Sequence, residues 1–200
     1  NAGAAEYRNI IAVTNRKLCE RPFLEQVERI CQMHPKALIL REKDLSESAY
    51  EAMAGQVLKI CGRYDTPCML HSFVEVARRL HHPYIHLPLF LLEEYCGKLN
   101  DFRIVGSSIH SPEEAVRAQK KALRKKTKIE VETKNLEEVK EALKSGVDVV
   151  MLDNMSVSEM KKAVKMVAGK VRLEASGNVS LKNVSAIAKT GVDFISVGEI

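Results

Sequence analysis

The chain has 200 residues, of which 46% are hydrophobic, enough to bury one large core or two small ones. It has no Trp and no apolar run near the length of a membrane span, so we expect no membrane partner. Five cysteines without a C-x-x-C pair argue against a disulfide framework and favour reduced thiols in a cytoplasmic protein. The first residue is not Met and no signal-peptide pattern follows, which predicts a fragment boundary at Asn1.

The formal net charge is +5 at pH 7, and much of the excess is concentrated in one segment. Its members are Lys120, Lys121, Arg124, Lys125, Lys126 and Lys128. No aromatic residue interleaves with them, so we expect a solvated helix and no nucleic-acid partner. Anionic small-molecule substrates that carry phosphate suit this mildly basic chain better.

The first half predicts five strands separated by helices. The strands are Ile10–Thr14, Ala37–Leu40, Pro67–His71, Tyr84–Pro88 and Phe102–Gly106, the last ending in a loop over 107–110. The helices are Pro22–Met33, 46–62 with Ser46 as its cap, and Val74–Leu80. His81, His82 and His86 are interpreted as structural residues.

The second half predicts four more strands: Lys128–Glu132, Val147–Leu152, Val171–Ser176 and Val192–Val197. Helix starts are marked by Ser111 with Pro112 and Glu114, by Asn135 with Glu138, and by Ser156 with Glu159. Ser180 is predicted to cap a further helix through Ala188, whose N-terminus would point backbone N–H groups toward a phosphate.

Strands that alternate with capped helices predict βαβ units and a parallel sheet. We therefore expect an α/β fold: one TIM-barrel-like (βα) barrel over residues 1–200 with about nine strands, one more than the usual eight. No helix follows Ile200 to cover the last strand. This predicts a parent chain that continues, and an exposed edge that favours a homo-oligomer, most simply a dimer.

Polar residues just after the strands are the candidates for chemistry. Arg41 and Lys43 are either a diphosphate site or a pair of surface ions beside a helix start. His110 is either an acid–base group or a polar loop residue.

Carboxylates in the second half form a stronger pattern. Glu130 and Glu132 share one face of a strand by parity, and that face is the interior of a barrel. Asp153 and Glu174 follow on the next two strands, so the acids can converge and hold Mg2+ together with substrate phosphates; the alternative is a network of buried ion pairs. Ser176, Gly177, Asn178 and Gly198 end the last two strands, where barrels often bind phosphate.

Residues 128–199 resemble the C-terminal barrel of quinolinate phosphoribosyltransferase (nicotinate-nucleotide pyrophosphorylase, carboxylating). The matching stretches are 128–132, 151–154, 173–179 and 191–198, in the right order and spacing. The resemblance implies that Glu132 and Asp153 lie at the phosphoribosyl donor and its Mg2+. It also implies that Ser176, Gly177 and Gly198 surround the donor's phosphate.

Residues 10–120 instead resemble the thiamine phosphate synthase and thiazole tautomerase superfamily. The matching stretches are 40–44, 86–88 and 106–115, and they lean to the tautomerase branch. In the synthase an Asn-Asp pair follows the third strand, whereas His71-Ser72 stands there in this chain. The resemblance implies that His110 is the acid–base residue of a tautomerase.

The two resemblances meet near 119–124, so the chain is interpreted as a recombined barrel built of segments 1–120 and 121–200. Both transferases join a heteroaromatic nitrogen to a carbon as diphosphate leaves, with Mg2+ taking the developing charge. The resemblance therefore implies a diphosphate-releasing transferase closest to quinolinate phosphoribosyltransferase, a pentosyltransferase of NAD synthesis. The alternatives are a thiamine-pathway tautomerase or synthase, and an inactive barrel that binds phosphate.

Overall fold

Nine strands alternate with eight helices in the computed structural model, which describes residues 7–121 and 127–198. The strands are β1 Ile10–Val13, β2 Ala37–Leu40, β3 Cys68–His71, β4 Tyr84–Pro88, β5 Ile104–Ile109, β6 Thr127–Thr133, β7 Val149–Asp153, β8 Arg172–Ser176 and β9 Phe194–Val197. The helices are α1 Phe23–Gln32, α2 Glu47–Arg63, α3 Val74–Arg79, α4 Leu89–Glu94, α5 Pro112–Lys121, α6 Leu136–Lys144, α7 Val157–Val167 and α8 Val184–Ala188.

The strands are hydrogen-bonded in sequence order and the sheet closes into a barrel. Every recorded strand pair is parallel, from β1 with β2 to β8 with β9. The predicted α/β, TIM-barrel-like fold with nine strands is thus confirmed. The nine-strand count follows from the alternation of short apolar runs with capped helices.

Packing divides the described chain into two units, one of residues 7–85 with Val197 and Gly198, the other of His86–Ser196. The division into segments 1–120 and 121–200 concerns sequence origin and stays a prediction. Each unit has its own buried residues, such as Leu38 and Tyr50 in the first and Ile129 and Leu152 in the second.

Several predicted boundaries are corrected by the structure. Strand β5 runs through Ile109, so Ser107 and Ser108 lie in the sheet, opposite Ile129 and Glu130 of β6, and not in a loop. Helix α4 directly follows Pro88, which ends β4 as expected. The predicted basic helix continues into 122–126, which lie outside the described residues.

The predicted helix cap at Ser180 is wrong. Helix α8 begins only at Val184 and has five residues. The preceding turn is held by side chains, because the Ser180 N–H donates to Asn183 Oδ1 at 2.8 Å. Ser180 Oγ accepts from the Lys182 N–H at 3.3 Å and the Ser180 carbonyl accepts from the Val184 N–H at 2.9 Å, so Ser180 opens the turn that precedes α8 and not the helix itself.

Within the described ranges, no helix is both long enough and apolar enough to cross a bilayer.

Candidate functional site

Three glutamates lie on one face of the sheet in the unit 86–196. Along β6, Ile129, Val131 and Thr133 are buried, while Glu130 and Glu132 alternate with them and are partly exposed. Glu132 of β6 and Glu174 of β8 both pair in register with Met151 of β7, so they share a row and a face. The parity argument for Glu130 and Glu132 is consistent with this arrangement.

Glu130 and Glu174 form a close carboxyl pair. Their side chains are hydrogen-bonded to each other, and Ser108 Oγ donates to Glu130 Oε1 at 3.3 Å. Although part of the Glu130 residue is exposed, its carboxyl group is buried. This burial, followed by the negative charge of Glu174, raises the pKa of Glu130 well above its usual value. Glu174 is itself buried, with 8% of the residue exposed. Glu130 therefore keeps its proton at pH values where an ordinary glutamate has lost it.

His86 of β4 extends this chain of polar groups. Its Nε2 lies 2.9 Å from Ser108 Oγ. Gly106 of β5 makes room for the ring, since a Cβ at that position would lie 2.6 Å from His86 Nδ1. His86, which the sequence predicts to be a structural residue, therefore contacts the candidate site. Side chains alternate between the two faces of a strand, and this alternation in β4 and β5 is the sequence signal for its place beside Ser108.

His110 and Glu132 form a second pair. His110 Nδ1 lies 3.2 Å from Glu132 Oε2, and the two side chains are 69% and 25% exposed. The His110 backbone N–H donates to Glu114 Oε2 at 2.7 Å, while the Glu114 N–H donates to Ser111 Oγ at 3.2 Å. Ser111 thus caps the helix as predicted, but the Glu114 carboxylate accepts from the His110 N–H and not from that of Ser111, which ties the backbone of His110 to the start of α5. A fixed Nδ1 leaves the second ring nitrogen of an exposed imidazole for a substrate.

The ends of β7 and β8 meet at Asp153 and Ser176, which are paired in register. Asn154, next in the chain, has a φ of 54°, and its N–H donates to the Ser176 carbonyl at 2.9 Å. Its side-chain oxygen accepts a 2.7 Å hydrogen bond from Asn178 Nδ2. The Asn154 side chain also lies where a Cβ on Gly177 would be, which together with a φ of 80° explains glycine at that position.

The remaining predicted residues belong to the other unit. Arg41 and Lys43 follow β2 and are exposed. Gly198 is exposed beyond β9, and a Cβ built on it would lie 4.0 Å from the Val13 carbonyl oxygen. Eight of the eleven predicted residues, His110 among them, thus lie in the unit 86–196, whereas Arg41, Lys43 and Gly198 do not. Besides His110, the predicted residues of the unit 86–196 are Glu130, Glu132, Asp153, Glu174, Ser176, Gly177 and Asn178.

A divalent cation fits the acids only in part. No group of three or more His, Cys, Asp or Glu within 7–121 and 127–198 is arranged to hold a metal. Glu132 and Asp153 lie on neighbouring strands, offset by two residues, a Cα separation of about 8 Å from strand spacing and rise. Two carboxylates at that spacing suit Mg2+ that completes its shell with water and substrate oxygens, which is how Mg2+ is usually bound.

Comparison with known proteins gives matches to two families. The model of the quinolinate phosphoribosyl transferase C-terminal domain matches residues 96–200, and that of thiamine monophosphate synthase matches residues 10–125. A probable nicotinate-nucleotide pyrophosphorylase (carboxylating) of Synechocystis is 58% identical over 71 residues, 34% of this chain and 24% of that protein. One of Bacillus subtilis is 29% identical over 154 residues, 77% of this chain and 52% of that protein.

Among solved structures, thiamine phosphate pyrophosphorylase from Pyrococcus furiosus has a TM-score of 0.62 at 20% identity, covering 97% of this chain and 86% of that one. That likeness shows the barrel fold. The chain spans about half or less of the length of the two curated relatives described above.

Proposed function

Because this chain belongs to the quinolinate phosphoribosyl transferase family through residues 96–200 and to the thiamine monophosphate synthase family through residues 10–125, we propose that it is a diphosphate-releasing transferase of cofactor biosynthesis. The activity closest to it is transfer of a phosphoribosyl group from phosphoribosyl diphosphate to quinolinate. Nicotinate mononucleotide, CO2 and diphosphate are the products. The free cysteines suit a cytoplasmic enzyme, and we propose a homodimer.

The donor would be held at the ends of β6, β7 and β8. Glu132 and Asp153 are the proposed Mg2+ ligands, and Mg2+, when bound, stabilises the negative charge that develops on the leaving diphosphate. Ser176, Gly177 and Asn178 are the proposed contacts of the 5-phosphate. Gly198, Arg41 and Lys43 are proposed as phosphate contacts in the other unit.

The observation that carries the proposal is the row of acids on one sheet face. Glu132 and Glu174 share that row, and Glu130 lies beside Glu174 with a pKa raised by its burial and by the charge of Glu174. A raised pKa of Glu130 lowers the negative charge on this face of the sheet, which makes the approach of an anionic substrate less costly. Purely structural acids would be expected to pair with Lys or Arg; in the described part of the chain Glu130 pairs with Ser108 and Glu174 instead.

Calorimetric titration of phosphoribosyl diphosphate in the presence of Mg2+ tests this site. We expect micromolar binding by the wild type and a loss of at least about 100-fold in a Glu132→Ala, Asp153→Ala double variant. Glu141→Ala, which removes an exposed carboxylate from α6, is the matched control and should bind as the wild type does. A folded wild-type protein that does not bind the donor would exclude the phosphoribosyl transfer.

A second candidate function is proton transfer, and the His110–Glu132 pair favours it. A carboxylate that fixes one nitrogen of an exposed imidazole prepares the other to exchange protons with a substrate, here isomerisation of a phosphorylated thiazole. We expect His110→Asn to reduce such an isomerisation at least about 100-fold while donor binding is retained. If the protein binds phosphate compounds but turns over neither substrate, it is an inactive phosphate-binding barrel.

A further inference from the structure

His71 and Ser72 form the turn from β3 into α3, and the proposed function uses neither of them. Strand β3 ends at His71 and α3 begins at Val74, so only two residues connect the strand to the helix. The carboxyl end of a barrel strand is where side chains of this fold reach a substrate. A serine that follows a histidine at such a position is a candidate nucleophile next to a candidate base.

The backbone at Ser72 is strained. Its φ is 71°, and the Phe73 N–H donates to the His71 carbonyl at 2.9 Å, so Ser72 is the central residue of a γ-turn of the rare, positive-φ form. The Val74 N–H donates to the Ser72 carbonyl at 3.0 Å, and a second turn of the same length therefore follows at once. Together the two turns redirect the chain sharply from the strand into the helix.

Residue type and helix capping do not explain this conformation. Seven non-glycine residues of the described ranges have a positive φ, and five of them are His, Asp or Asn, the types that tolerate it best. Ala168, which is neither, caps the C-terminus of α7, where a left-handed residue is common. Ser72 instead precedes a helix. A strained serine between a strand and a helix is the geometry that presents the nucleophile in hydrolases with a serine on such a turn.

Tyr50 of α2 holds both neighbours of Ser72 in place. Its side chain is fully buried, and its hydroxyl accepts from the His71 N–H at 2.9 Å and donates to the Leu40 carbonyl at 2.7 Å. Its ring stacks on that of Phe73, with 4.2 Å between the ring centroids. A strained backbone persists only where the surrounding structure fixes it, and these contacts do so on both sides of Ser72.

The side chains of His71 and Ser72 contact each other. His71 Nδ1 lies 2.7 Å from Ser72 Oγ, within the range of a nucleophile that is hydrogen-bonded to its general base. His71 is buried, with 7% of the residue exposed, whereas Ser72 is partly exposed. The base is thus shielded from solvent, while the residue that carries the hydroxyl is open to it.

We propose that Ser72 is a nucleophile for acyl transfer from small carboxylic esters, with His71 as its general base and Tyr50 as a positioning residue. Ser72 Oγ forms a bond to the ester carbonyl carbon as its proton passes to His71 Nδ1. The bond from that carbon to the leaving oxygen then breaks, and the leaving alcohol takes the proton from His71. Water attacks the acyl ester of Ser72 in the same way, which releases the carboxylic acid and restores the hydroxyl. The inference does not depend on phosphoribosyl transfer.

The first test is labelling of the full chain with a fluorophosphonate, followed by mass spectrometry of the intact protein and its peptides. An activated serine attacks the phosphorus of this probe and expels fluoride, as it would expel an alcohol from an ester. Wild-type protein should gain one phosphonyl group, on Ser72. Ser72→Ala should gain none, and neither should Ser72→Gly, which tolerates the positive φ. Ser48→Ala, which removes an exposed hydroxyl from α2, is the matched control and should be labelled at the wild-type rate.

Two further variants separate the role of His71 from that of Tyr50. His71→Gln keeps a polar side chain but loses the base, so the labelling rate should fall at least about 100-fold. Tyr50→Phe keeps the ring against Phe73 and loses the hydroxyl, so the rate should fall about tenfold because the nucleophile is held less firmly. Val27→Ala, a buried truncation in α1, controls for lost stability: it should unfold at a lower urea concentration and be labelled at the wild-type rate.

The second test is hydrolysis of p-nitrophenyl acetate, which examines acyl transfer itself. Wild-type protein should release nitrophenolate and carry an acetyl group on Ser72 when the reaction is stopped with acid. Ser72→Ala should do neither. A protein that is labelled by the fluorophosphonate but does not release nitrophenolate would overturn the assignment of esters as substrates.

The remaining outcomes distinguish the parts of the proposal. A folded wild-type protein without label on Ser72 would overturn it, and so would an unchanged labelling rate in His71→Gln. Equal rates for Tyr50→Phe and wild type would overturn the positioning role alone. The Glu132→Ala, Asp153→Ala double variant should be labelled as the wild type is, so failure here is separate from failure of the phosphoribosyl donor site.

Discussion

Acidic side chains near strand ends have basic partners in one unit and acidic or hydroxyl partners in the other. In residues 7–85, Glu42 and Asp44 are matched by Arg16 and Lys17, and two further cations remain free. In residues 86–196, Glu130 and Glu174 are matched by each other and by Ser108, and no salt bridge in the described ranges reaches them.

The difference shows that net charge says little about a local site. The chain carries +5 overall, yet the second unit collects three glutamates on one sheet face. Two exposed cations such as Arg41 and Lys43 favour a nearby anion, whereas adjacent carboxylates disfavour one unless a proton or a cation offsets their charge. Three substitutions that change stability would break or sharpen this contrast.

The largest effect is expected at Gly106. A Cβ there would lie 2.6 Å from His86 Nδ1, so Gly106→Ala must displace the ring and its contact with Ser108. We expect a loss of up to about 3 kcal/mol in the free energy of unfolding, as for overpacking elsewhere. Urea denaturation measures it. Gly55→Ala is the control: it lies within α2 with open space around it, and should be neutral or stabilising. Equal stability of Gly106→Ala and wild type would contradict the placement of His86.

A smaller loss in the free energy of unfolding is expected when Glu42, the buried acid of the unit 7–85, is replaced by glutamine. Glu42→Gln keeps the shape of the side chain but weakens its bonds from Arg16 and Thr14. Charge-assisted hydrogen bonds of this kind contribute about 2 kcal/mol, and the midpoint of urea denaturation should fall accordingly. Glu25→Gln, an exposed acid in the first turn of α1, is the control. If Glu42→Gln were more stable than the wild type, the hydrogen bonds from Arg16 and Thr14 to Glu42 would not be stabilising.

Replacing Glu130 of the unit 86–196 by glutamine should change the stability in the opposite direction. A carboxyl whose pKa is raised by folding holds its proton when the unfolded chain has already lost it. Stability is therefore highest below the unfolded pKa of about 4.3 and falls as the pH rises toward the folded value. Glu130→Gln removes this dependence, and we expect it to be about 1 kcal/mol more stable than wild type at pH 7.5 and nearly equal at pH 4.

Thermal and urea denaturation at both pH values check the sign for Glu130→Gln, with Glu141→Gln as a control. A variant that is less stable than wild type at pH 7.5 would show that the side chain of Glu130 is favourably paired, as that of Glu42 is with Arg16. The contrast between the units would then disappear.

The sequence by itself determined the barrel, because capped helices and short apolar runs recur along the chain and each carries its own local signal. Ser46, Asn135 and Ser156 cap the helices that they were predicted to cap. The pairing of Glu130 and Glu132 on one face also followed from parity within a single strand. Local rules were less informative at Ser180. There the Asn183 side chain accepts from the Ser180 N–H and donates to the Asn178 carbonyl, and the helix begins only after this turn.

The tertiary structure decided which charges remain free. Arg41 and Lys43 looked no different in sequence from paired surface ions, and it is Arg16, 25 or more positions away in the chain, that takes their acids. Likewise, His86, Ser108 and Glu174 join Glu130 only through strand register. Hydrogen bonds and charge pairs act over a few ångströms in space whatever the separation along the chain, so their partners are set by folding and not by neighbouring letters.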